Sequence, residues 1–348
     1  MRSLAYRVIS KLRLSEVIGN VVPGRLQILC YHGFSFLDEH LFRGKLFMTA
    51  ALFEKRLEWL KKNHYRALPL SEALYRLQAG KIGRKEFVLT IDDGFHSVIA
   101  LAAPLLRAYD TPATVYVTTY YVIHQHPIFR LAIQYMAWKS ERQHVDLAGL
   151  LSGLNGETPL HGTEASRRLE ALYMVAEGQC TEAQRVQIAR HFGERVNVDY
   201  DELVRSRRLT LMNQTELASL RDYGLDIQLH THRHRLPLRQ SEVAIELAEN
   251  RGVLSAVTKA DLQHLCYPSG IWSPSQWSAL KALGVTSATT CVPGLNTSRT
   301  PPLALHRFLD GQDITMDEFK VEMSGIKDIA RRSRRLLRHD PSDDAPKA

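Results

Sequence analysis

Residues 87–95 of this 348-residue chain read FVLTIDDGF, an apolar run that ends in two aspartates and a glycine. β-Branched and aromatic residues dominate the run, which predicts a buried strand over 87–92. Gly94 then permits a sharp turn at the end of that strand. Similar runs recur along the chain, so further strands are predicted at 26–32, 113–118, 226–230, 262–267, 286–291 and 304–308, with a weaker candidate at 65–70.

Segments with a helical spacing of apolar residues separate these strands, and the alternation predicts βα units around a parallel sheet. Residues 121–212 are different, because they are mostly helical in pattern and contain no convincing strand. We therefore predict that they form an insertion between two core strands. Helix starts are predicted at Ser71 and at four reciprocal capping pairs, Asn213 with Glu216, Ser273 with Gln276, Thr315 with Glu318 and Thr181 with Gln184.

The carboxylates of Asp92 and Asp93 stand directly after the buried strand. Burying adjacent carboxylates is costly unless a positive group, usually a metal ion or a proton, lies near them. Because successive side chains of a strand point in opposite directions, one carboxylate can bind an ion while the other faces a reacting group. The alternative interpretation is an aspartate pair that caps the following helix, and this motif alone favours neither.

A second polar motif, QLHTHRH at 228–234, follows another predicted strand. His230 and His234 are four residues apart, a spacing that lets two imidazoles meet on one side of a helical turn and bind one cation. A divalent metal requires neutral imidazoles, which avoids repulsion within this basic motif. With Asp93, these histidines would form a His2Asp site that leaves a position for water, as catalytic metals have. An exposed basic loop is the alternative.

Other candidate residues also lie at the ends of predicted strands. The run Tyr267-Pro268-Ser269-Gly270 forces a turn, where a freed backbone N–H could point at a developing oxyanion, although such a run is more often only a loop. His32 and His306 lie where barrel enzymes build their sites, and either could act as a general acid.

Together these motifs resemble the polysaccharide deacetylases, carbohydrate esterase family 4, with their NodB-homology domain. Residues 90–94 (TIDDG) resemble the first motif of that family, and residues 230–234 (HTHRH) resemble the second, His-(Ser/Thr)-x-x-His. Residues 265–270 (LCYPSG) are similar to the third motif in a divergent form. The resemblance spans about residues 26–325 outside the insertion. Further similarity to one branch of the family lies at 29–32, 53–73 and 291–296.

The resemblance implies a distorted (β/α)7-type barrel and metal-dependent hydrolysis of an N-acyl amino sugar. It implies that Asp93, His230 and His234 hold one divalent metal ion, usually zinc. It also implies that Asp92 is the general base that activates water, while the metal polarises the acyl carbonyl. Backbone N–H groups from Tyr267 to Ser269 would help to hold the oxyanion.

The sequence departs from the family pattern at two places. Many members have an arginine in the third motif that orients the base, whereas Cys266 occupies that place here. Many also have a late Leu-x-His that supplies the general acid, but Leu305-His306-Arg307 has a shifted spacing and resembles the Leu-x-Arg of the other branch. In that branch the histidine after the first strand enters the site. We therefore expect His32 to be the acid, with His306 as the second candidate.

The composition is that of an ordinary globular protein, with 45% hydrophobic and 24% charged residues. The four cysteines are widely spaced and include no CxxC, which indicates neither a disulfide framework nor a cysteine zinc site and favours the cytosol. Most of the net charge of +8 lies at the ends, +4 in residues 1–25 and +3 in residues 326–348. We predict a basic amphipathic N-terminal segment, an almost neutral barrel over 26–325 and a solvated C-terminal tail.

The near-neutral barrel removes most of the case for a nucleic-acid groove. The sequence has no continuous apolar region for a signal peptide and no spanning segment, so we expect a cytoplasmic protein. Contact of its basic ends with an anionic inner membrane is a hypothesis.

The leading functional hypothesis is a hydrolase of non-peptide carbon–nitrogen bonds, namely a deacetylase of an acetamido sugar in an envelope glycan or exopolysaccharide. The alternatives are a deformylase or deacetylase of a lipid-linked amino sugar, and a non-catalytic carbohydrate-binding relic of the barrel. The sequence leaves the sugar, the acyl group and the oligomeric state open.

Overall fold

The computed structural model describes residues 24–151, 156–328 and 331, so the predictions for the two basic ends lie almost entirely outside the described residues. The strands are β1 (Gln27–Tyr31), β2 (Gly33–Ser35), β3 (Phe47–Thr49), β4 (Arg66–Ala67), β5 (Glu86–Ile91), β6 (Ala113–Val117), β7 (His144–Asp146), β8 (Glu157–Pro159), β9 (Leu225–Leu229), β10 (His264–Cys266), β11 (Ser287–Thr289) and β12 (Phe308–Leu309). The helices are α1 (Glu39–Phe42), α2 (Ala50–Lys62), α3 (Leu70–Gln78), α4 (Ala103–Ala108), α5 (Tyr120–His124), α6 (Phe129–Lys139), α7 (Gly162–Gln179), α8 (Glu182–Val196), α9 (Tyr200–Ser206), α10 (Gln214–Ser219), α11 (Gln240–Leu254), α12 (Trp277–Ala282) and α13 (Met316–Met323).

Among the described residues, eight strands form one parallel sheet in the order β11-β10-β9-β6-β5-β1-β12, with β4 paired to β5 beside this path. One chain segment joins the two edges of the sheet. Leu305 bridges to Thr289 at the end of β11, and Phe308 pairs with Leu29 of β1. The sheet therefore curls into a barrel, which confirms the predicted α/β barrel fold.

The predicted strands correspond to β1, β4, β5, β6, β9, β10 and β11, each within a few residues of its predicted bounds. The last predicted strand, at 304–308, is wrong in its extent, because the regular strand there begins only at Phe308. The physical reason is that residues 305–309 cross from one sheet edge to the other, so they do not run along a single neighbouring strand.

Helix α3 closes the N-terminal end of the barrel. Its Leu70, Ala73 and Leu77 join an apolar cluster with inward-facing strand residues. Ser71 is not the helix cap that the sequence predicts, since the helix already begins at Leu70. The Ser71 hydroxyl instead bonds the ring of His264 inside the barrel. The strand residues of this cluster include Ile28, Val88, Tyr116 and Cys266, and Leu305 joins them from the segment before β12.

The predicted insertion leaves the sheet after β6 and returns before β9, and these two strands are neighbours. It is mostly helical, but the expectation of no strand there is wrong, because β7 and β8 form an antiparallel hairpin. Each of these strands has three residues, too few for alternation to show in the sequence. The four predicted capping pairs all form reciprocal bonds, at Thr181, Asn213, Ser273 and Thr315. No helix in the described part of the chain combines the length and apolar character that crossing a bilayer requires.

Candidate metal centre and active site

Three side chains meet at the C-terminal end of the barrel strands. Asp93 Oδ1 lies 3.2 Å from His230 Nε2 and 3.3 Å from His234 Nε2. This oxygen is buried, and among the described residues no group other than these two histidines hydrogen-bonds to it. One carboxylate oxygen and two imidazole nitrogens are a donor set that zinc accepts. The residues that the sequence predicts as metal ligands are therefore brought together, and they fit a divalent cation.

Asp93 and His230 each stabilise the charged form of the other. Burial would raise the pKa of Asp93, but hydrogen bonds from His230 and His234 outweigh it and hold this pKa well below its ordinary range. Burial would lower the pKa of His230, but the Asp93 carboxylate outweighs it and raises this pKa. A cation and a proton would compete for the same histidine nitrogen, so cation binding should tighten as the pH rises.

The predicted helical turn between His230 and His234 is wrong, because the chain forms a loop there. Thr231 has a φ of 63° and His234 a φ of 54°, both in the left-handed region. Asp93, with a φ of 70°, shares this conformation. Such residues cost roughly 1–3 kcal/mol each and cluster at functional sites, where the surrounding structure holds them. The loop brings the two imidazole rings to a centroid distance of 4.9 Å.

Outside these three residues, the Cys266 carbonyl helps to orient the centre. It lies 2.9 Å from His230 Nδ1. An Nδ1–H donated to that carbonyl leaves Nε2 directed at Asp93 with a free lone pair. Metal-binding histidines usually have such a partner on the second ring nitrogen.

Asp92 is buried against an arginine, and a carboxylate oxygen of Asp92 also lies within 4.8 Å of a ring nitrogen of His230. Arg307 Nη1 and Nη2 donate to the two Asp92 oxygens at 2.7 Å each. The guanidinium is held in turn by the Thr290 carbonyl at 2.9 Å and the Thr90 hydroxyl at 3.2 Å. Burial would raise the pKa of Asp92, but the charge and hydrogen bonds of Arg307 hold it well below its ordinary range. Asp92 is therefore an ionised hydrogen-bond acceptor.

Two thiols complete the surroundings of Asp92. Cys266 Sγ lies 3.3 Å and Cys30 Sγ 3.4 Å from Asp92 Oδ2. Burial raises the pKa of both thiols well above the ordinary value, so both remain protonated and can donate to the carboxylate. Arg307 is not among the site residues that the sequence predicts, although it stands in the motif Leu305-His306-Arg307. The sequence gives no sign of its complete burial, and an arginine is almost never fully buried unless it is paired.

The two candidate acids lie in different places. His32 Nε2 is 3.8 Å from Asp92 Oδ2, and the His32 side chain is 17% exposed. Burial lowers its pKa. The His306 N–H instead donates to Asn296 Oδ1, and the His306 carbonyl accepts from Asn296 Nδ2. The His306 ring packs over Gly294. Neighbouring residues of an extended segment point to opposite sides. Because the Arg307 side chain points into the site, the His306 side chain points away from it.

Of the predicted oxyanion donors, Ser269 is the one that remains. The Tyr267 N–H donates to the Thr289 carbonyl at 3.1 Å, and Pro268 has no N–H to donate. Ser269 is exposed and has a φ of 56°, in the left-handed region. The Tyr267 side chain is buried, and its hydroxyl donates to the Leu303 carbonyl.

Residues 187–288 match the family model described as polysaccharide deacetylase. The matched range contains His230, His234 and the turn at 267–270, whereas Asp92 and Asp93 lie before it.

Two curated relatives match parts of the chain. A protein of Bacillus subtilis named putative polysaccharide deacetylase YxkH is 30% identical over 116 residues, 33% of this chain and 39% of that protein. A poly-beta-1,6-N-acetyl-D-glucosamine N-deacetylase of Staphylococcus aureus is 33% identical over 75 residues, 22% of this chain and 26% of that protein. The chain thus matches less than half the length of either relative.

Two solved structures share the fold over most of the chain. The Streptococcus pyogenes deacetylase PplD, in complex with acetate, superposes with a TM-score of 0.57 at 16% identity, covering 87% of this chain and 99% of that one. IcaB from Ammonifex degensii gives a TM-score of 0.52 at 17% identity, covering 86% and 97%. At these identities the likeness establishes the fold alone.

The fold and the site define a parallel α/β barrel with a carboxylate and two-histidine centre at the C-terminal end of its strands. The resemblance to the polysaccharide deacetylases is confirmed by the match of residues 187–288 to that family model and by the two curated relatives.

Proposed function

We propose that this protein is a metal-dependent hydrolase that removes the N-acyl group of an amino sugar in a polysaccharide or another cell-envelope glycan. The observation that carries the proposal is the convergence of Asp93, His230 and His234 beside a separately held carboxylate, Asp92. The named activity of the Staphylococcus aureus relative, an N-deacetylase, supports it.

Asp93, His230 and His234 would hold one divalent ion, and zinc suits this donor set. When bound, such an ion supplies Lewis acidity toward the acyl carbonyl and favours the ionisation of water. The left-handed backbone at Asp93 and His234 supports this assignment, because side chains held in position in advance reduce the cost of assembling a metal site.

Asp92 is the proposed general base, which accepts a proton from the water that attacks the acyl carbon. Its two hydrogen bonds from Arg307 fix the plane of the carboxylate. The thiols of Cys30 and Cys266 lie beside Oδ2, so polar hydrogens surround the carboxylate where bulk water is excluded.

His32 is the proposed general acid. Attack of water oxygen forms the new bond to the acyl carbon, the carbon–nitrogen bond then breaks, and His32 gives its proton to the departing amine nitrogen. The products are a carboxylic acid and a free amino sugar. The Ser269 N–H would donate to the oxygen that becomes negative during the attack.

The proposal is tested with a β-1,6-linked N-acetylglucosamine oligomer, chosen because one relative is named for that polymer. Zinc-loaded protein should release acetate and free amine, as measured by mass spectrometry, whereas chelator-treated protein and Asp93→Ala should not. N-formyl and lipid-linked amino sugars are tested in parallel to distinguish acyl group and carrier. Full activity of the metal-free protein would reject metal dependence, and no amine from any of these substrates would reject the hydrolase.

We infer that any contact with a membrane would come from the basic segments 1–25 and 326–348, since the barrel itself is almost neutral. Binding to vesicles with anionic lipid that persists after both segments are removed would contradict this inference.

A further inference from the structure

One helix, α11, holds the loop that carries His230 and His234. We propose that Glu246 and Asn250 of α11 are positioning residues that keep this loop in its metal-binding shape, an inference that rests on the proposed function. The two side chains are four residues apart and therefore lie on one face of the helix. Both are buried, with exposures of 3% and 0%.

Glu246 binds the backbone of the loop between the two proposed ligands. Its Oε2 accepts hydrogen bonds from two successive backbone N–H groups, that of His232 at 3.1 Å and that of Arg233 at 2.8 Å. Its Oε1 accepts from Arg233 Nη1 at 3.0 Å. One carboxylate thus fixes the direction of the chain midway between His230 and His234.

Asn250 holds the start of the same loop. Its Oδ1 accepts the N–H of His230 at 3.2 Å, and its Nδ2 donates to the Val117 carbonyl at 3.0 Å and the Thr119 hydroxyl at 3.1 Å. The Thr119 hydroxyl also lies 2.9 Å from His232 Nδ1. Asn250 therefore ties the first proposed ligand to the end of β6, the next strand of the sheet.

The loop needs such support because its backbone is strained. Thr231 and His234 both have left-handed backbone conformations, which persist only when surrounding contacts determine them. Without Glu246 the loop would relax, and His234 Nε2 would move away from Asp93. Partners outside the ligand set typically change metal affinity by about 10–100-fold when they are removed.

A merely structural role would make Glu246 an ion-pair partner of Arg233 and nothing more. Glu249 offers the matched control, because it lies on the same helix, also pairs with Arg233, and is 39% exposed at its side chain. Its contacts in the described residues are to that side chain, not to the backbone of the loop. Replacing each glutamate by alanine separates the two roles.

The experiment measures the Zn²⁺ affinity of the full chain by competition with a chromophoric chelator, and the absorption spectrum of the Co²⁺-substituted protein. Glu246→Ala should lower Zn²⁺ affinity about 10–100-fold and change the Co²⁺ ligand-field bands. Glu249→Ala should stay within about threefold of wild type, the scale of an exposed ion pair. Glu246→Gln should restore most of the affinity, because its amide oxygen can still accept both backbone N–H groups.

An unchanged affinity in Glu246→Ala, or an equal loss in Glu249→Ala, would overturn the proposal. If Glu246→Ala fails to fold by circular dichroism, Asn250→Ala decides, with a loss of about tenfold or more expected and no loss overturning it. A wild-type protein that binds no Zn²⁺ would overturn the proposed function itself, so the two failures are distinguishable.

Discussion

The two ends of the barrel bury polar groups in opposite ways. At the C-terminal end, ionised groups face one another, as Asp92 faces Arg307. At the N-terminal end, His264 lies between the hydroxyls of Ser71 and Ser287, at 2.8 Å from each, and within the described part of the chain no charged group hydrogen-bonds to its ring. In barrel enzymes the first end builds the active site and the second supports stability. Changes at the first end should therefore alter metal binding and turnover, and changes at the second should alter stability.

The backbone shows the same contrast. At the C-terminal end, the left-handed residues Asp93 and Thr231 are buried. At the N-terminal end, the left-handed residues His64 and Asp110 are exposed and follow the ends of α2 and α4. A left-handed residue after a helix is a common way to end it. Left-handed residues at the N-terminal end of the barrel thus terminate helices, whereas those at the C-terminal end lie at or beside the candidate metal ligands.

The largest effect is expected from Asp92→Asn. The amide has nearly the same shape but cannot accept the proton of the attacking water, so kcat should fall by about 10⁴-fold. Bound zinc should stay at the wild-type level, because Asp93, His230 and His234 are unchanged. Kinetics on the N-acetylglucosamine oligomer and metal analysis of the same samples measure both. Turnover within tenfold of wild type would remove Asp92 as the base.

Arg307→Met tests whether the end that carries the site also contributes to stability. The variant leaves a buried carboxylate without its cation, which should lower the free energy of unfolding by about 3–5 kcal/mol. Urea denaturation at pH 7 measures this change.

The double variant Asp92→Asn with Arg307→Met is the control, because it removes both charges and should lose less than the sum of the single changes. A strictly additive loss would show that the two residues are not coupled, which would contradict the contact described above.

The sequence predicted what is set locally. Strands such as β5 and capping pairs such as Asn213 with Glu216 depend on neighbouring residues, and they were found. The pair of Asp92 and Arg307 joins positions 215 residues apart and depends on how the barrel closes, which no local pattern encodes.

The loop at 230–234 shows the same limit within a single motif. The spacing of the two histidines correctly brought them together, but it predicted a helical turn where the structure has a left-handed loop. The bonds from Glu246 and Asn250 that hold this loop come from a helix later in the chain.

A pH-dependent loss of stability is expected from the N-terminal end. Burial lowers the pKa of His264 to about 4, below its ordinary value of 6.5. The unfolded chain therefore takes up this proton first as the pH falls, so stability is complete above pH 6.5 and is lost progressively down to about pH 4. Between pH 7 and 4.5 the loss from this residue should be about 2–3 kcal/mol.

Urea denaturation of wild type and His264→Gln at both pH values isolates that loss, because glutamine can bond both serines but does not titrate in this range. Zinc affinity at pH 7 should be the same in both proteins. Equal pH dependence of the two proteins would show that His264 does not contribute. It would also contradict the claim that changes at the N-terminal end of the barrel alter stability.

The smallest effect separates His32 from His306 as the acid. Burial lowers the pKa of both His32 and His264. The two rings differ in their hydrogen bonds. Both ring nitrogens of His264 bond serine hydroxyls, whereas His32 Nδ1 is buried without a hydrogen bond in the described residues. His32 Nε2 also lies 3.8 Å from Asp92.

The position of His32 allows its ring to exchange a proton during turnover. His32→Ala should therefore lower kcat about 10–100-fold, and the loss is limited because water can replace part of its role. His306→Ala should change kcat less than about threefold, because this half-buried ring packs over Gly294 and points away from the site. A larger loss in His306→Ala than in His32→Ala would mean that the site extends to the side of the strand that faces Gly294, and the assignment of the acid would be reversed.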